Sequence, residues 1–586
     1  MKRILSMISL VCACTLVQAQ TALPPVWQSD TQKEVQVSTR TIAYLPPTRI
    51  VWQETTGESS IQGLENLLLP GNGQADLFDG QITRIKNGAT GKASFLLDFG
   101  RELQGGIQVV TGRSSKKEMK IRVRFGESVS EAMCDITPEN GATNDHAIRD
   151  FYLTLPWLGV AEIGNSGFRF VRIDLEEPDA ELSLKEIRAT FGYRNIPYLG
   201  SFKCDNERLN DIWMTGAYTV HLNMQEYIWD GVKRDRLVWI GDLHPELMTV
   251  NTVFGYNEVI PKSLDLIRDT TPVPNWMNGI SSYSIWWLLI HKDWYLYQGN
   301  LDYLKEQKEY MTTLFNHLMT KIDENGKEML DGTRFLDWPS SPNVKGVDAG
   351  LQALMVMAMD AGHEMALAMG DKALADRCAK ASKKLKKYIP DHNQSKQGAA
   401  LMALAGLMKA EKADKDVLSV GGAQGFSTFY GYYMLEAMAK AGNYQGAMDI
   451  ISEYWGAMLD LGATTFWEDF HIDWTQNAAR IDELVPEGKV DVHGAYGDYC
   501  YKGFRHSLCH GRASGPTSWL SRHVLGVEVL EPGCKKVRIT PHLGDLKWVE
   551  GTFPTPFGII KIKHEKQANG KVRSDIQVPE GVALVK

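Results

Sequence analysis

The chain has 586 residues, a formal net charge of −8 and a pI near 6.0. That balance argues against a nucleic-acid binder, which carries a basic surplus, and 44% hydrophobic with 23% charged residues excludes a disordered chain. At roughly 150 residues per domain the length calls for about four domains.

The first twenty residues, MKRILSMISLVCACTLVQAQ, read as a secretion signal. Lys2 and Arg3 precede an apolar run from Ile4 to Val17. Val17-Gln18-Ala19 then gives a cleavage pattern before Gln20. The run is too short to span a bilayer, and no later run is long and apolar enough to do so. Residues 1–19 are therefore expected to be a signal peptide. Residues 20–200 read as a β-sandwich domain. There "ASFLLDFGRELQGGIQVVTG", "KIRVRFGES" and "SGFRFVRIDLEE" alternate apolar and polar residues between Gly-rich breaks.

From 201 to 525 the periodicity changes. "NERLNDIWMTGAYTVHLNMQEYIW", "DAGLQALMVMAMDAGHEMALAMGDKALADRCAKASKKLKKYI" and "FSTFYGYYMLEAMAKAGNYQGAMDIISEYW" place apolar residues at helical spacing. A region this long suits helical hairpins closed into a toroid, which buries every apolar face. No fixed-period repeat points to an open solenoid. Residues 526–586 return to β, with "KKVRITPHLG" and "IIKIKHEK". Twelve of the 16 Trp lie between residues 201 and 520. Most are core, as expected of Trp286 and Trp287, but partly exposed rings also suit the apolar faces of sugars. The six cysteines beyond the signal form no C-x-x-C pair, which leaves zinc-ribbon and redox motifs unsupported.

Four segments carry candidate chemistry. The densest is "EYIWDGVKRDRLVWIGDLHPE", residues 226–246, with Asp230, Arg234, Asp235, Arg236, Trp239, Asp242, His244 and Glu246. Gly231, Gly241 and Pro245 mark it as loop and helix end. It is either a solvated loop of Arg–Asp pairs or a partly buried cluster of carboxylates with shifted pKa values. In "LGATTFWEDFHIDW", residues 461–474, Glu468 beside Trp467 is a candidate general base. The competing reading is a helix start capped by Thr464 or Thr465. "TRFLDWPSSPN" places Asp337 and Trp338 on a rigid loop, and "RHSLCHGRASGPTSWL" contributes His506 and His510. A polar stretch at 135–146 lacks EF-hand spacing. No G-x-S-x-G elbow, P-loop or H-E-x-x-H is present, and no cofactor or metal is expected.

In these segments the chain resembles bacterial α-L-rhamnosidases of glycoside hydrolase family 78. "LLDFGRELQGGI" and "GFRFVRID" resemble the family's N-terminal sandwich. "WDGVKRDRLVWIGD" resembles its central signature, in a variant D-G-x-K-R-D-R form, and "FLDWPSS", "GATTFWEDF" and "SLCHGRASGPTSWL" resemble later segments. The resemblance implies a central (α/α)6 toroid flanked by N-terminal and C-terminal β-sandwich domains. It also implies inverting release of terminal α-L-rhamnose from plant glycans or glycosides, in the periplasm of a Gram-negative bacterium. It makes Glu468 the general base, His510 a sugar contact, and Asp230 and Asp242 sugar-binding carboxylates. Arg234, Trp239, Asp337, Trp338 and Trp467 complete the binding set. The signature's Glu, the family's general acid, is absent here. Asp235 lies nearest and is the first choice for the acid, and Asp242 the second. Arg234 and Arg236 weigh against both, because a nearby cation lowers a carboxyl pKa. Two other readings stay open: a toroid glycosidase for another deoxy or uronic sugar, and a carbohydrate-binding relative that has lost catalysis.

Overall fold

The computed structural model describes residues 38–585 apart from 78, 79, 138, 140, 142–148 and 500. The signal-peptide reading and most of the polar stretch at 135–146 lie outside the described residues.

Nine strands between Thr41 and Tyr193 form one antiparallel sheet. Its centre is the 19-residue strand Ala93–Thr111. Breaks in register between Asp98 and Leu103, and between Gly105 and Ile107, let this strand pair with three others. Gly105 has φ 144°, and a Cβ there would lie 2.0 Å from the Thr190 carbonyl, so only glycine fits the crossing. Alternating residues such as Phe95, Leu97, Ile107, Val109, Ile121 and Val123 form this domain's core.

The second core belongs to the helices, and the long Met-, Ala- and Trp-rich faces bury completely. Trp286, Trp287, Trp455 and Trp519 are all fully enclosed, and each such ring contributes about 2–3 kcal/mol by leaving water. Six helices follow one another in a cycle of contacts. Leu243–Val253 packs on Ser281–Gln298, which packs on Val344–Ala368, then Lys396–Leu404, then Gly431–Lys440, then Gly515–Trp519, which returns to Leu243–Val253. Other helices, such as Glu207–Asn223 and Lys372–Leu385, pack against members of this cycle. Side-chain caps start several of these helices: Asn206, Asn343, Asp371, Ser395 and Asn443 each accept a backbone N–H.

The chain ends in two small sheets, one ordered Ser201–Cys204, Trp548–Thr555, Gly558–Lys566, Val572–Gln577, the other built from Val527–Glu531, Lys536–Ile539 and Ala583–Val585. The strand Ser201–Cys204 thus precedes the helices in sequence but pairs with the C-terminal strands. The described cysteines Cys134, Cys204, Cys378, Cys509 and Cys534 are all free thiols. No helix among the described residues is long and apolar enough to cross a membrane.

Candidate active site

The site gathers near the N-terminal ends of the six helices of this cycle. Asp242 is the residue before Leu243–Val253, and Tyr283 lies in the first turn of Ser281–Gln298. Asp337 precedes Val344–Ala368 and accepts hydrogen bonds from Ser340, from Gln397 at 3.2 Å and from Ser427 at 2.7 Å. Gln397 opens the fourth helix, Ser427 precedes the fifth, and Arg512 precedes the sixth. Helix N-termini carry partial positive charge, which favours carboxylates gathered there.

The loop 230–242 is pinned to the loop 507–512. Gly231 bridges His510 in antiparallel fashion, and the Gly511 N–H donates to the Asp230 carbonyl at 2.9 Å. A Cβ on Gly231 would sit 2.9 Å from His510 Nδ1, so the approach requires glycine. Asp235 and Arg236 both adopt left-handed φ angles, 51° and 54°. Such residues cost energy to hold and concentrate at functional sites. The turn separates neighbouring side chains: Arg234 points inward, while Arg236 donates to the Asn165 carbonyl of the N-terminal sheet and lies over Trp229.

Glu468 lies on a non-helical segment, not at a capped helix start. Thr464 accepts the Glu102 N–H, and Thr465 donates to the Leu508 carbonyl. The Glu468 N–H donates to the Ser507 carbonyl at 3.0 Å, and the Ser507 N–H donates back to Glu468 Oε2 at 3.2 Å. Arg234 joins the two candidate catalytic carboxylates. Its Nη2 donates to Glu468 Oε1 at 2.6 Å and its Nη1 to Asp235 Oδ1 at 3.2 Å. The Trp239 indole N–H donates to the other Asp235 oxygen at 3.1 Å.

A second group of contacts surrounds Asp242. It accepts from Tyr283 at 3.1 Å, lies 3.3 Å from His510 Nε2, and pairs with Arg512 at 3.3 Å. Arg512 also donates to the Glu468 carbonyl and the Tyr501 hydroxyl. The electrostatics divide the carboxylates. Burial alone would raise the pKa of Glu468, but Arg234, His510 and Arg512 outweigh it and hold Glu468 well below the usual range. Arg512 and His510 likewise outweigh burial at Asp242 and lower its pKa. Burial raises Asp230 and Glu246 well above the usual range, with neighbouring carboxylates adding to it. Burial also carries Asp469 up to about 7. Carboxyls pushed towards the charged form and carboxyls pushed towards the neutral form therefore stand side by side.

Residues 197–524 match a family described as the bacterial alpha-L-rhamnosidase 6 hairpin glycosidase domain, and residues 526–585 match the bacterial alpha-L-rhamnosidase C-terminal domain. The chain belongs to this family. The alpha-L-rhamnosidase of Alteromonas sp. (strain LOR) is 23% identical over 539 residues, covering 84% of this chain and 55% of that protein. The chain thus spans about half the length of that curated relative. Among solved structures, the GH78 family rhamnosidase of Bacillus sp. GL1 superposes with a TM-score of 0.73 at 23% identity, over 89% of this chain and 55% of that one. A rhamnosidase from Klebsiella oxytoca with rhamnose bound gives 0.62 at 17% identity, over 82% of this chain and 96% of that one. At these identities the likeness establishes the fold.

Within the domain that matches this family, Arg234, Asp235, Trp239, Asp242, Glu468 and His510 are joined by direct contacts, with Asp230 close among them. Trp467 is fully buried, packed edge-on against Phe470 and His506 behind Glu468. Trp338 is half-buried and stacks on Tyr499, with Asp337 beneath it held by Gln397 and Ser427. His244 lies apart, its ring nearly parallel to those of Trp286 and Tyr433, which also stack on each other, and it is bonded to Asp293 at 2.8 Å. Sequence reasoning singled out Tyr283 on "WMNGISSYSIWWLLIHKDWYLYQGN" but missed Arg512 and Tyr501. Arg512 had a usable signal: it is the only charged residue in "SLCHGRASGPTSWLS", and a lone charge in such a stretch is either exposed or paired with a buried partner.

Proposed function

We propose that this protein is a secreted α-L-rhamnosidase that releases terminal α-L-rhamnose from plant glycans or glycosides with inversion at the anomeric carbon. Residues 1–19 are read as a signal peptide directing it to the periplasm. Residues 20–200 and 526–586 are the flanking β-sandwich domains, and 201–525 the (α/α)6 catalytic toroid, a reading supported by the cycle of helix contacts. The observation that carries the proposal is Arg234, with one nitrogen on Asp235 and the other on Glu468. Two hydrogen bonds and a guanidinium separate the carboxyl groups, a spacing on the scale of the roughly 6.5–9.5 Å that inverting glycosidases keep for a water.

In this mechanism Glu468, held ionised, takes a proton from the attacking water, and Asp235 protonates the departing oxygen. Asp242 is too firmly ionised by Arg512 and His510 to donate that proton. It anchors sugar hydroxyls together with His510, while Asp230, uncharged and buried, supplies a donor or acceptor beside it. Trp239 fixes the Asp235 carboxyl, and Trp338 and Asp337 form the far wall.

The test is hydrolysis of p-nitrophenyl α-L-rhamnoside by the chain from Gln20, with Glu468→Ala and Asp235→Asn beside it. Glu468→Ala should lose about 10²–10⁴-fold in kcat. Asp235→Asn should lose much less on this substrate, because p-nitrophenolate departs without protonation, and much more on an alkyl rhamnoside. Proton NMR of the first-formed sugar should show the β-anomer. Wild-type protein that binds L-rhamnose without turning over any rhamnoside would be the sugar-binding relative instead.

A further inference from the structure

A second cluster of buried charge lies behind the site, where the N-terminal sheet meets the catalytic loops. Lys233, next to Arg234, is 6% exposed. Its ammonium pairs with Glu127 at 3.0 Å and Glu131 at 3.4 Å, both just after the strand Glu118–Gly126. It also donates to the carbonyls of Phe504 at 2.9 Å and His506 at 2.6 Å. Glu127 accepts the Leu508 N–H at 2.6 Å and lies 3.4 Å from the Ser507 hydroxyl. Glu127, Glu131 and His493 have ligand atoms within 4.8 Å of one another, a spacing that suits a metal ion. Lys233 supplies the positive charge there instead.

We propose that Lys233, clamped by Glu127 and Glu131 of the N-terminal domain, is a positioning residue that holds the 504–508 loop so that Ser507 N–H stays on Glu468. This rests on the reading of Glu468 as the general base. The chain of contacts is short. Lys233 fixes the Phe504 and His506 carbonyls, Glu127 fixes Leu508, and between them Ser507 both donates to the Glu468 carboxylate and accepts from its backbone N–H. A hydrogen bond to the charged form stabilises it, and a displacement of about 1 Å at a catalytic group costs about a hundredfold in rate. Burial carries Glu127 to about 7 despite the attraction of Lys233. The other titratable groups around the cluster include Glu102, Arg149, Arg169, His493, Asp491, His506, Cys134 and Cys509. Those around Glu468 are Arg234, His510, Arg512, His506, Asp230 and Asp469.

The test uses the full chain with Lys233→Met, Lys233→Arg and the double variant Lys233→Met/Glu127→Gln, which leaves no unpaired charge from that ion pair. Turnover of p-nitrophenyl α-L-rhamnoside is followed across pH, and amide hydrogen exchange is followed over 466–470 and 504–510. In the double variant we expect kcat to fall about a hundredfold with KM within about threefold. The acidic limb of kcat/KM should move to higher pH, exchange at Ser507 and Glu468 should quicken, and Lys233→Arg should recover most of the rate. A limb and exchange pattern like wild type would overturn the proposal, as would a rate loss matched in every variant by loss of folded protein. If the wild type turns over no rhamnoside, the rhamnosidase reading fails separately. Hydrogen exchange then decides: quickened exchange at 504–510 in the folded double variant supports the positioning role, and unchanged exchange overturns it.

Discussion

Arg234 acts on two carboxylates of the site at once. It lowers the pKa of Glu468, fixes its direction and ties it to Asp235. The sign of its effect on pH dependence follows. A base with a depressed pKa stays ionised well into acid, so the acidic limb of kcat/KM lies below the ordinary carboxylate range. Arg234→Met removes the largest opposing cation, and the limb should move to higher pH as burial takes over. The pH profile on p-nitrophenyl α-L-rhamnoside measures this directly, and an unmoved limb would assign it to another group. The same depressed pKa contributes stability above the ordinary carboxylate pKa and loses it as the pH falls through the folded value. Sequence reasoning weighed Arg234 and Arg236 equally against Asp235. The left-handed turn at Asp235 and Arg236 takes Arg236 Nη1 to the Asn165 carbonyl of the N-terminal sheet, while Arg234 Nη1 donates to Asp235. Two consecutive positive φ angles at non-glycine residues are set by what surrounds the loop, and no local pattern announces them.

At the scale of elements, the cycle of helices must close for the site to exist, because Asp242, Tyr283 and Arg512 come from the starts of three separate helices and Glu468 from a loop between others. One contact that holds the cycle together joins its fifth helix, Gly431–Lys440, to the segment 520–524 that directly follows the sixth. Glu436 accepts from Arg522 at 2.9 Å and from His523 at 3.1 Å. Burial would raise Glu436, but these partners outweigh it and bring its pKa from 4.5 to about 2. The pair is therefore fully stabilising above pH about 4.5, and the contribution fades as the pH falls towards 2. Glu436→Gln should cost about 3 kcal/mol at pH 7, seen as a melting temperature several degrees lower. The difference from wild type should shrink steadily on acidification, and a constant difference would mean that lost packing, not charge, is the cause. The helices themselves were legible from the periodicity of runs such as 349–388. Their closure was not, since each apolar face records only that it is buried and not against which partner.

At the scale of the whole molecule, the three regions are interlocked. The N-terminal sheet reaches the catalytic loops through Arg169 on the Gly462 carbonyl, Glu102 on Thr464 and the Lys233 cluster. At the other end, Ser201–Cys204 pairs with Trp548–Thr555, Thr552 donates to the Leu199 carbonyl, and His564 bonds to the Leu525 carbonyl. Truncation after Leu525 would leave the strand Ser201–Cys204 without its partner and uncover the apolar surface around Leu525 and Val253. We expect the 20–525 fragment to melt well below the full chain or to aggregate, and the full chain's helical and C-terminal regions to unfold in one calorimetric transition. Unchanged melting of the fragment would show that the C-terminal sheets merely decorate the fold.

The sequence by itself determined the order β, α, β, the helical and strand periods, the six-hairpin family and the loops where Asp235, Asp242 and Glu468 lie. These are local properties: apolar spacing and turn residues act within a few positions of themselves. The tertiary structure alone decided that Arg234 would join residues 235 and 468, and that Arg512 and Tyr283 would hold Asp242. It also decided that Lys233 would be clamped by a domain a hundred residues earlier. Those contacts depend on where distant loops meet once the helices close, and they are selected by the cost of leaving a buried charge unpaired, a cost that exists only after folding has removed the water.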